Sequence, residues 1–223
     1  MINSDPVVYV VDDDPSVLKA VSRLLRAAGY KTMTFASPNR FLNHHERSAP
    51  ACLVLDLAMP GLNGLQLQEM LARTGDALPI IFLTGRGDVP ASVKAMKRGA
   101  ADFLTKPVER EQLLSAVQTA LEKDRTAQIA EREVADIRSR LATLTPREYE
   151  VLQHVISGQL NKQTAADIGA AEKTVKVHRA RVMDKMKVQS VAELVRLTER
   201  AGIAPALLGC DDQHVMMDGT KVQ

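Results

Sequence analysis

Two uninterrupted apolar runs that each end in aspartate constrain this chain more than any other feature. The first, Val7-Val8-Tyr9-Val10-Val11, runs into Asp12-Asp13-Asp14. The second, Ala51-Cys52-Leu53-Val54-Leu55, runs into Asp56 and then Leu57-Ala58-Met59-Pro60-Gly61. Short runs without polar alternation, bounded by turn residues, read as strands buried on both faces. A carboxylate at the C-terminal end of such a strand sits at the edge where parallel sheets place their chemistry. Two strands delivering acids to one edge crowd negative charge, which is costly unless a cation sits there. Oxygen-only ligands favour Mg2+, and a carboxylate beside Mg2+ is a plausible phosphoryl acceptor.

The remaining pattern of the first half supplies the sheet. Lys31–Phe35, Ile80–Thr84 and residues 102–104 are further candidate strands, with helices in the gaps. Asp14-Pro15 opens the first helix with a cap and a first-turn proline, and Gly29 closes it. Ser37-Pro38 opens the second in the same manner; residues 65–73 and 89–98 form the third and fourth, the latter ended by Gly99. Five strands alternating with helices imply an α/β fold with a doubly wound parallel sheet. The expected order is the flavodoxin-like 2-1-3-4-5, with the functional crevice at the carboxyl ends of strands 1 and 3. Thr84 at the end of strand 4 and Lys106-Pro107 after strand 5 reach that edge too. A lysine ammonium there contacts a phosphoryl oxygen as a point charge.

Composition limits the alternatives. At 223 residues the chain has room for one large domain or two small ones. Aromatic residues make up 3% and Trp is absent, so an aliphatic core is expected. Cys52 lies inside a strand and Cys210 far from it, which argues against a disulfide framework. The N-terminus shows no basic segment followed by an apolar one, and no apolar run reaches membrane-spanning length. A cytoplasmic protein with no membrane partner is expected. The net charge of +2 is unevenly spread: residues 1–122 sum to zero, 123–142 to +1, 143–203 to +3 and 204–223 to −2. The late positive charge suggests an anionic partner for that region.

Residues 109–144 contain no Gly or Pro, and positions 113, 116, 120, 123, 127, 130, 134, 137, 141 and 144 are apolar apart from Lys123. That seam fits a long helix that pairs with a second copy as a coiled coil. It equally fits an amphipathic last helix followed by a solvated linker. Thr145-Pro146-Arg147-Glu148 is then a capping box with a first-turn proline. Helices follow at 146–157, 162–168, 172–185 and 191–201, and the pattern decays into a polar tail at 209–223. On a wheel of 172–185, Val175, Val182 and Met186 share one face. Lys173, Lys176, Val177 and Ala180 lie opposite, flanked by Arg179, Arg181 and Lys185. Residues 162–168 and 172–185, joined by Gly169-Ala170-Ala171, form a helix-turn-helix whose second helix suits a DNA major groove. A merely solvated basic helix fits the same spacing.

The first half resembles a two-component response regulator receiver of the CheY-like type. The matching segments are Val11-Asp12-Asp13-Asp14, Asp56-Leu57-Ala58-Met59-Pro60-Gly61, Leu83-Thr84-Gly85 and Lys106-Pro107, and the stretch from Thr84 to Leu104 is FixJ-like in detail. The resemblance implies that a sensor histidine kinase phosphorylates Asp56. It implies that Asp13, Asp56 and the Ala58 carbonyl bind Mg2+ directly and that Asp12 acts mainly through water. Lys106 and Thr84 would grip the phosphoryl group, and Phe103 would rotate inward as the switch. A cis Lys106-Pro107 peptide is expected, as only a bond to proline readily allows. Ala58 and Arg86 stand where FixJ-like chains commonly carry arginine and histidine. They flank the attacking-water path, so the departure bears on the lifetime of the phosphoryl group rather than on its formation.

The second half resembles a LuxR-type DNA-binding domain, through Leu144-Thr145-Pro146-Arg147-Glu148, Asn161-Lys162-Gln163, Lys173 to Arg179, and Ser190 to Val195. The resemblance implies base-edge contacts by Lys176 and Val177 with Ala180 facing the groove, and phosphate contacts by Lys173, Thr174 and Arg179. His178 falls toward the inner face. Ala171 departs from the family, which commonly has a serine cap there. Together the halves resemble the FixJ/NarL class: receiver at 1–122, helical linker at 123–142, DNA-binding domain at 143–203 and flexible tail at 204–223. That implies homodimerisation on phosphorylation, binding to double-stranded promoter DNA, contact with RNA polymerase and activation of transcription. Two other readings stand beside it. One is a Mg2+-dependent phosphatase with an aspartyl-phosphate intermediate, using the Asp12/Asp14 spacing. The other is a phosphate-independent dimerisation module joined to a DNA-binding domain.

Overall fold

The computed structural model describes residues 5–44, 49–85 and 89–205; the side chains of residues 89–91 are not included. Arg86, Cys210 and the tail at 209–223 lie outside the described residues. The chain divides into two compact units, Met1–Ala130 and Glu131–Gln223.

In the first unit β1 (Val7–Val11), β2 (Lys31–Phe35), β3 (Ala51–Asp56), β4 (Ile80–Thr84) and β5 (Asp102–Thr105) form one sheet in the order β2-β1-β3-β4-β5. All four pairings are parallel. Helices α1 (Pro15–Ala27), α2 (Pro38–His44), α3 (Gly64–Arg73), α4 (Val89–Lys97) and α5 (Arg110–Leu141) connect or follow the strands. Successive side chains of a strand face opposite ways, and two cores result. Tyr9, Val11, Leu53, Leu55 and Phe82 pack with Phe41 of α2, Leu67 and Leu71 of α3 and Ala95 of α4. Val8, Val10, Val54, Ile81 and Leu83 pack with Val21 and Leu25 of α1 and Leu113 and Val117 of α5. The sheet is therefore doubly wound. The core is mainly aliphatic, but Tyr9, Phe35 and Phe41 form an aromatic cluster, with Phe41 edge-on to both neighbours at 5.5 and 5.6 Å between ring centres.

Local signals set the element ends. Asp14 caps α1, its Oδ1 accepting the Ser16 N–H at 2.8 Å. Asn63 and Gln66 cap α3 reciprocally, each side chain accepting the other's backbone N–H at 2.9 Å, so α3 starts one residue before the hydrophobic pattern suggests. Gly29 and Gly99, which follow α1 and α4, have φ of +89° and +86°, the left-handed conformation that glycine adopts without strain.

The second unit packs α6 (Pro146–Ile156), α7 (Asn161–Asp167), α8 (Glu172–Met186) and α9 (Val191–Arg200) around Val151, Leu152, Val155, Val175, Val182, Met186 and Leu194. The seam on α5 is not a free stripe. Leu113, Ala116 and Ala120 belong to the core of the first unit, and Ile137 and Leu141 to that of the second. Between them Lys123 and Ala130 are exposed and Ala127 and Val134 half-buried. Each end of the helix is thus amphipathic toward its own unit. No helix among the described residues is long and apolar enough to cross a membrane.

Candidate functional site

The strand register carries three acids to one edge. Val11 of β1 pairs with Leu55 of β3, so Asp12 and Asp56 follow side by side. Asp12 and Asp56 are almost fully buried, at 1% and 5% exposure, while Asp13 is exposed. Carboxylate oxygens of Asp12, Asp13 and Asp56 all lie within 4.8 Å of one another. Lys106, just past β5, donates from Nζ to Asp12 Oδ2 at 2.5 Å and to Asp56 Oδ1 at 2.7 Å. The other Asp12 oxygen accepts the Asp14 N–H at 2.9 Å.

Charge at this edge is finely balanced. Burial pushes the Asp56 carboxyl above its ordinary value, aided by the negative charges of Asp12 and Asp13, and the Lys106 hydrogen bond and charge only partly offset this. Burial alone would lower the Lys106 pKa, but its hydrogen bonds to Asp12 and Asp56 and their charges outweigh burial and raise it. Hydrogen bonds from Ser16 hold Asp14 below the ordinary carboxylate range. An oxygen-only set of three clustered carboxylates, two of them buried, has the chemistry of a Mg2+ site.

The neighbouring groups are placed by the β4–β5 pairing. Asp56 pairs with Leu83, and the next β4 residue, Thr84, pairs with Thr105. The Lys106 N–H donates to the Thr84 carbonyl at 2.6 Å, and the Lys106–Pro107 peptide is cis. Thr84 is buried, and its hydroxyl donates to the Gly85 carbonyl at 3.0 Å. Phe103 is half-buried against the α2–α4 face, its ring tilted against Phe82 at 6.3 Å. Ala58 is exposed two residues beyond Asp56. A Cβ on Gly64 would lie 2.5 Å from the Asp56 carbonyl oxygen and 3.0 Å from the Phe82 ring. The Asp56 backbone is thus seated on a glycine.

In the second unit α8 buries Val175, Val182 and Met186 and exposes Lys173, Thr174, Lys176, Val177, Ala180 and Arg181. Val177 is 45% exposed, unusual for a large apolar side chain. Arg179 is half-buried and donates from Nη1 to Asn161 Oδ1 of α7 at 3.2 Å. Lys185 turns away from this face. Its Nζ donates to Glu148 Oε2 at 2.6 Å and to the Thr143 carbonyl at 2.9 Å. His178 is half-buried, and its Nδ1 has no hydrogen-bond partner among the described residues. Ala171 occupies the cap position of α8 without a side-chain hydrogen bond.

Residues 8–118 match the family model of the response regulator receiver domain, and residues 142–198 that of bacterial regulatory proteins of the luxR family. The response regulator protein TmoT of Ectopseudomonas mendocina is 46% identical over 200 residues, covering 90% of this chain and 91% of the relative. The transcriptional regulatory protein FixJ of Bradyrhizobium diazoefficiens is 39% identical over 196 residues, covering 88% and 96%. Among solved structures, the response regulator StyR is 44% identical with a TM-score of 0.81, covering 88% of this chain and all of that one. The chain belongs to the FixJ/NarL class of response regulators. It is a transcriptional response regulator, with a receiver and a LuxR-type DNA-binding domain.

In this response regulator Asp12, Asp13, Asp56 and Lys106 converge as the strand ends foretell. Thr84 shares their edge, although its hydroxyl points its hydrogen bond at Gly85. On α8 the expected outer residues Lys173, Lys176, Val177 and Ala180 are exposed, while the flanking Arg179 and Lys185 are held by α7 and α6. Sequence reasoning missed Gly64, whose signal was the second glycine of Pro60-Gly61-Leu62-Asn63-Gly64. It also missed the Glu148–Lys185 tie, whose partners lie far apart in sequence.

Proposed function

We propose that Asp56 accepts a phosphoryl group from the phosphohistidine of a sensor kinase. The observation that carries this reading is Lys106 bridging two buried carboxylates at a strand edge that also holds Asp13. A carboxylate oxygen of Asp56 attacks phosphorus, and the phosphorus–nitrogen bond of the donor breaks. Asp13, Asp56 and the Ala58 carbonyl would hold Mg2+, with Asp12 acting through water; the ion supplies neutralisation of the phosphoryl oxygens. Lys106 passes from the two carboxylates to a phosphoryl oxygen, and Thr84 exchanges the Gly85 carbonyl for another. Phe103 follows into the space Thr84 leaves. Asp14 accepts the Ser16 N–H as the α1 cap, which favours a capping role for it over that of a second catalytic acid.

The rearrangement alters the α4–β5–α5 face, through which two phosphorylated chains pair. Moving an equilibrium from 1:99 to 99:1 requires about 5.5 kcal/mol of differential stabilisation. A dianion held by Lys106, Thr84 and Mg2+ is suited to supply it. The dimer presents two copies of α8 to double-stranded promoter DNA. Lys176, Val177 and Ala180 face base edges, while Lys173, Thr174 and Arg179 hold phosphates. Residues 1–122 act as the receiver, 123–142 as the link, 143–203 as the reader and 204–223 as a tail. The protein works in the cytoplasm, recruits RNA polymerase and turns over no substrate of its own. Selection of bound sequences from a random duplex pool by the phosphorylated chain tests this. A pseudo-palindrome with half-sites about 10 bp apart is expected, with preference relaxed at one position in Lys176→Ala. Failure to enrich any sequence would contradict it.

A further inference from the structure

We infer that Asn161 is a positioning residue that presents the Arg179 guanidinium to the DNA backbone. This rests on the reading of α8 as the DNA-contacting helix. Helix α8 anchors two of its cations to other parts of the second unit, in two chemically different ways. Lys185 is tied to the buried carboxylate of Glu148, which neutralises it and leaves little charge for a phosphate. Arg179 is tied to the neutral carboxamide of Asn161, whose Oδ1 accepts from Nη1 at 3.2 Å. A carboxamide acceptor fixes the guanidinium plane without cancelling its charge.

The guanidinium carries five N–H donors in a rigid fork, so one bond to Asn161 leaves the rest for phosphate oxygens. Side chains on the same face such as Lys173 and Lys176 are exposed, whereas Arg179 is half-buried. A preorganised arginine loses less freedom on binding than a free one. Asn161 belongs to α7 and Arg179 to α8, so their hydrogen bond also makes the phosphate contact depend on the spacing of the two helices.

The test uses the full-length chain, treated with Mg2+ and acetyl phosphate, and a fluorescein-labelled DNA duplex. Anisotropy titrations across a KCl series give affinity and its salt dependence. Arg179→Ala is expected to weaken binding about tenfold and to reduce the slope of log affinity on log salt by about 0.9. Asn161→Ala is expected to weaken binding a few-fold with the slope retained, and to add nothing in an Arg179→Ala background. Asn161→Asp keeps the hydrogen bond but pairs the charge, so it should lose both affinity and slope as Arg179→Ala does. Independent, multiplicative effects of the two alanine variants, or a wild-type slope in Asn161→Asp, would overturn the inference. If the wild-type chain does not bind the duplex, the DNA-contact reading fails and the inference falls with it.

Discussion

Glu148 shows how one buried charge ties a small helical unit together. It is 2% exposed, accepts Lys185 Nζ at 2.6 Å and the Thr145 N–H at 2.9 Å, and sits below the ordinary carboxylate range because of those bonds. A depressed carboxyl contributes stability that is fully present above its ordinary value of about 4.5 and is lost as pH falls through the folded value. Lys185→Met should therefore cost about 2 kcal/mol at neutral pH. It should also flatten the acid limb of the stability curve, since Glu148 then gains less from ionising in the fold and keeps only the Thr145 N–H bond. Urea denaturation followed by circular dichroism at a series of pH values checks this; parallel curves would contradict it. Asp12, Asp56 and Lys106 were readable as residues because apolar strands point at them. Glu148–Lys185 and the Gly64 seat under Asp56 were not, since a close approach between distant residues leaves no local pattern.

Among elements, α8 departs from local rules at its start, because its cap position holds Ala171, which offers its first turn no side-chain acceptor. Ala171→Ser should stabilise the protein by about 1 kcal/mol, measured by thermal denaturation; an unchanged or lowered midpoint would contradict this. Strands and most helix starts were legible because apolar run length, proline and capping residues are local. Helix α5 was legible as a helix but not as to its partners. Its three-and-four periodicity is the same whether the stripe meets a second copy or two cores in turn, and the structure gives each end to its own unit. Asp124, buried in the middle of α5, accepts the Ala51 N–H at 2.9 Å and so fastens the helix to the start of the strand that ends in Asp56. Nothing in the sequence around Asp124 distinguishes it from a solvated helix acid.

At the scale of the molecule, the division of charge between the two halves matches the division of chemistry. The neutral first half concentrates acids at one sheet edge, and the basic second half displays lysines on one helix. The order of the sheet followed from strand count and alternation. In the proposed function, phosphorylation of Asp56 couples the two halves. Incubation of the full-length chain with Mg2+ and acetyl phosphate, followed by intact mass measurement beside an Asp56→Asn control, tests it most directly. A single phosphoryl adduct that requires Mg2+ and is absent from the control is expected. An adduct that persists in Asp56→Asn, or none in the wild-type chain, would contradict it.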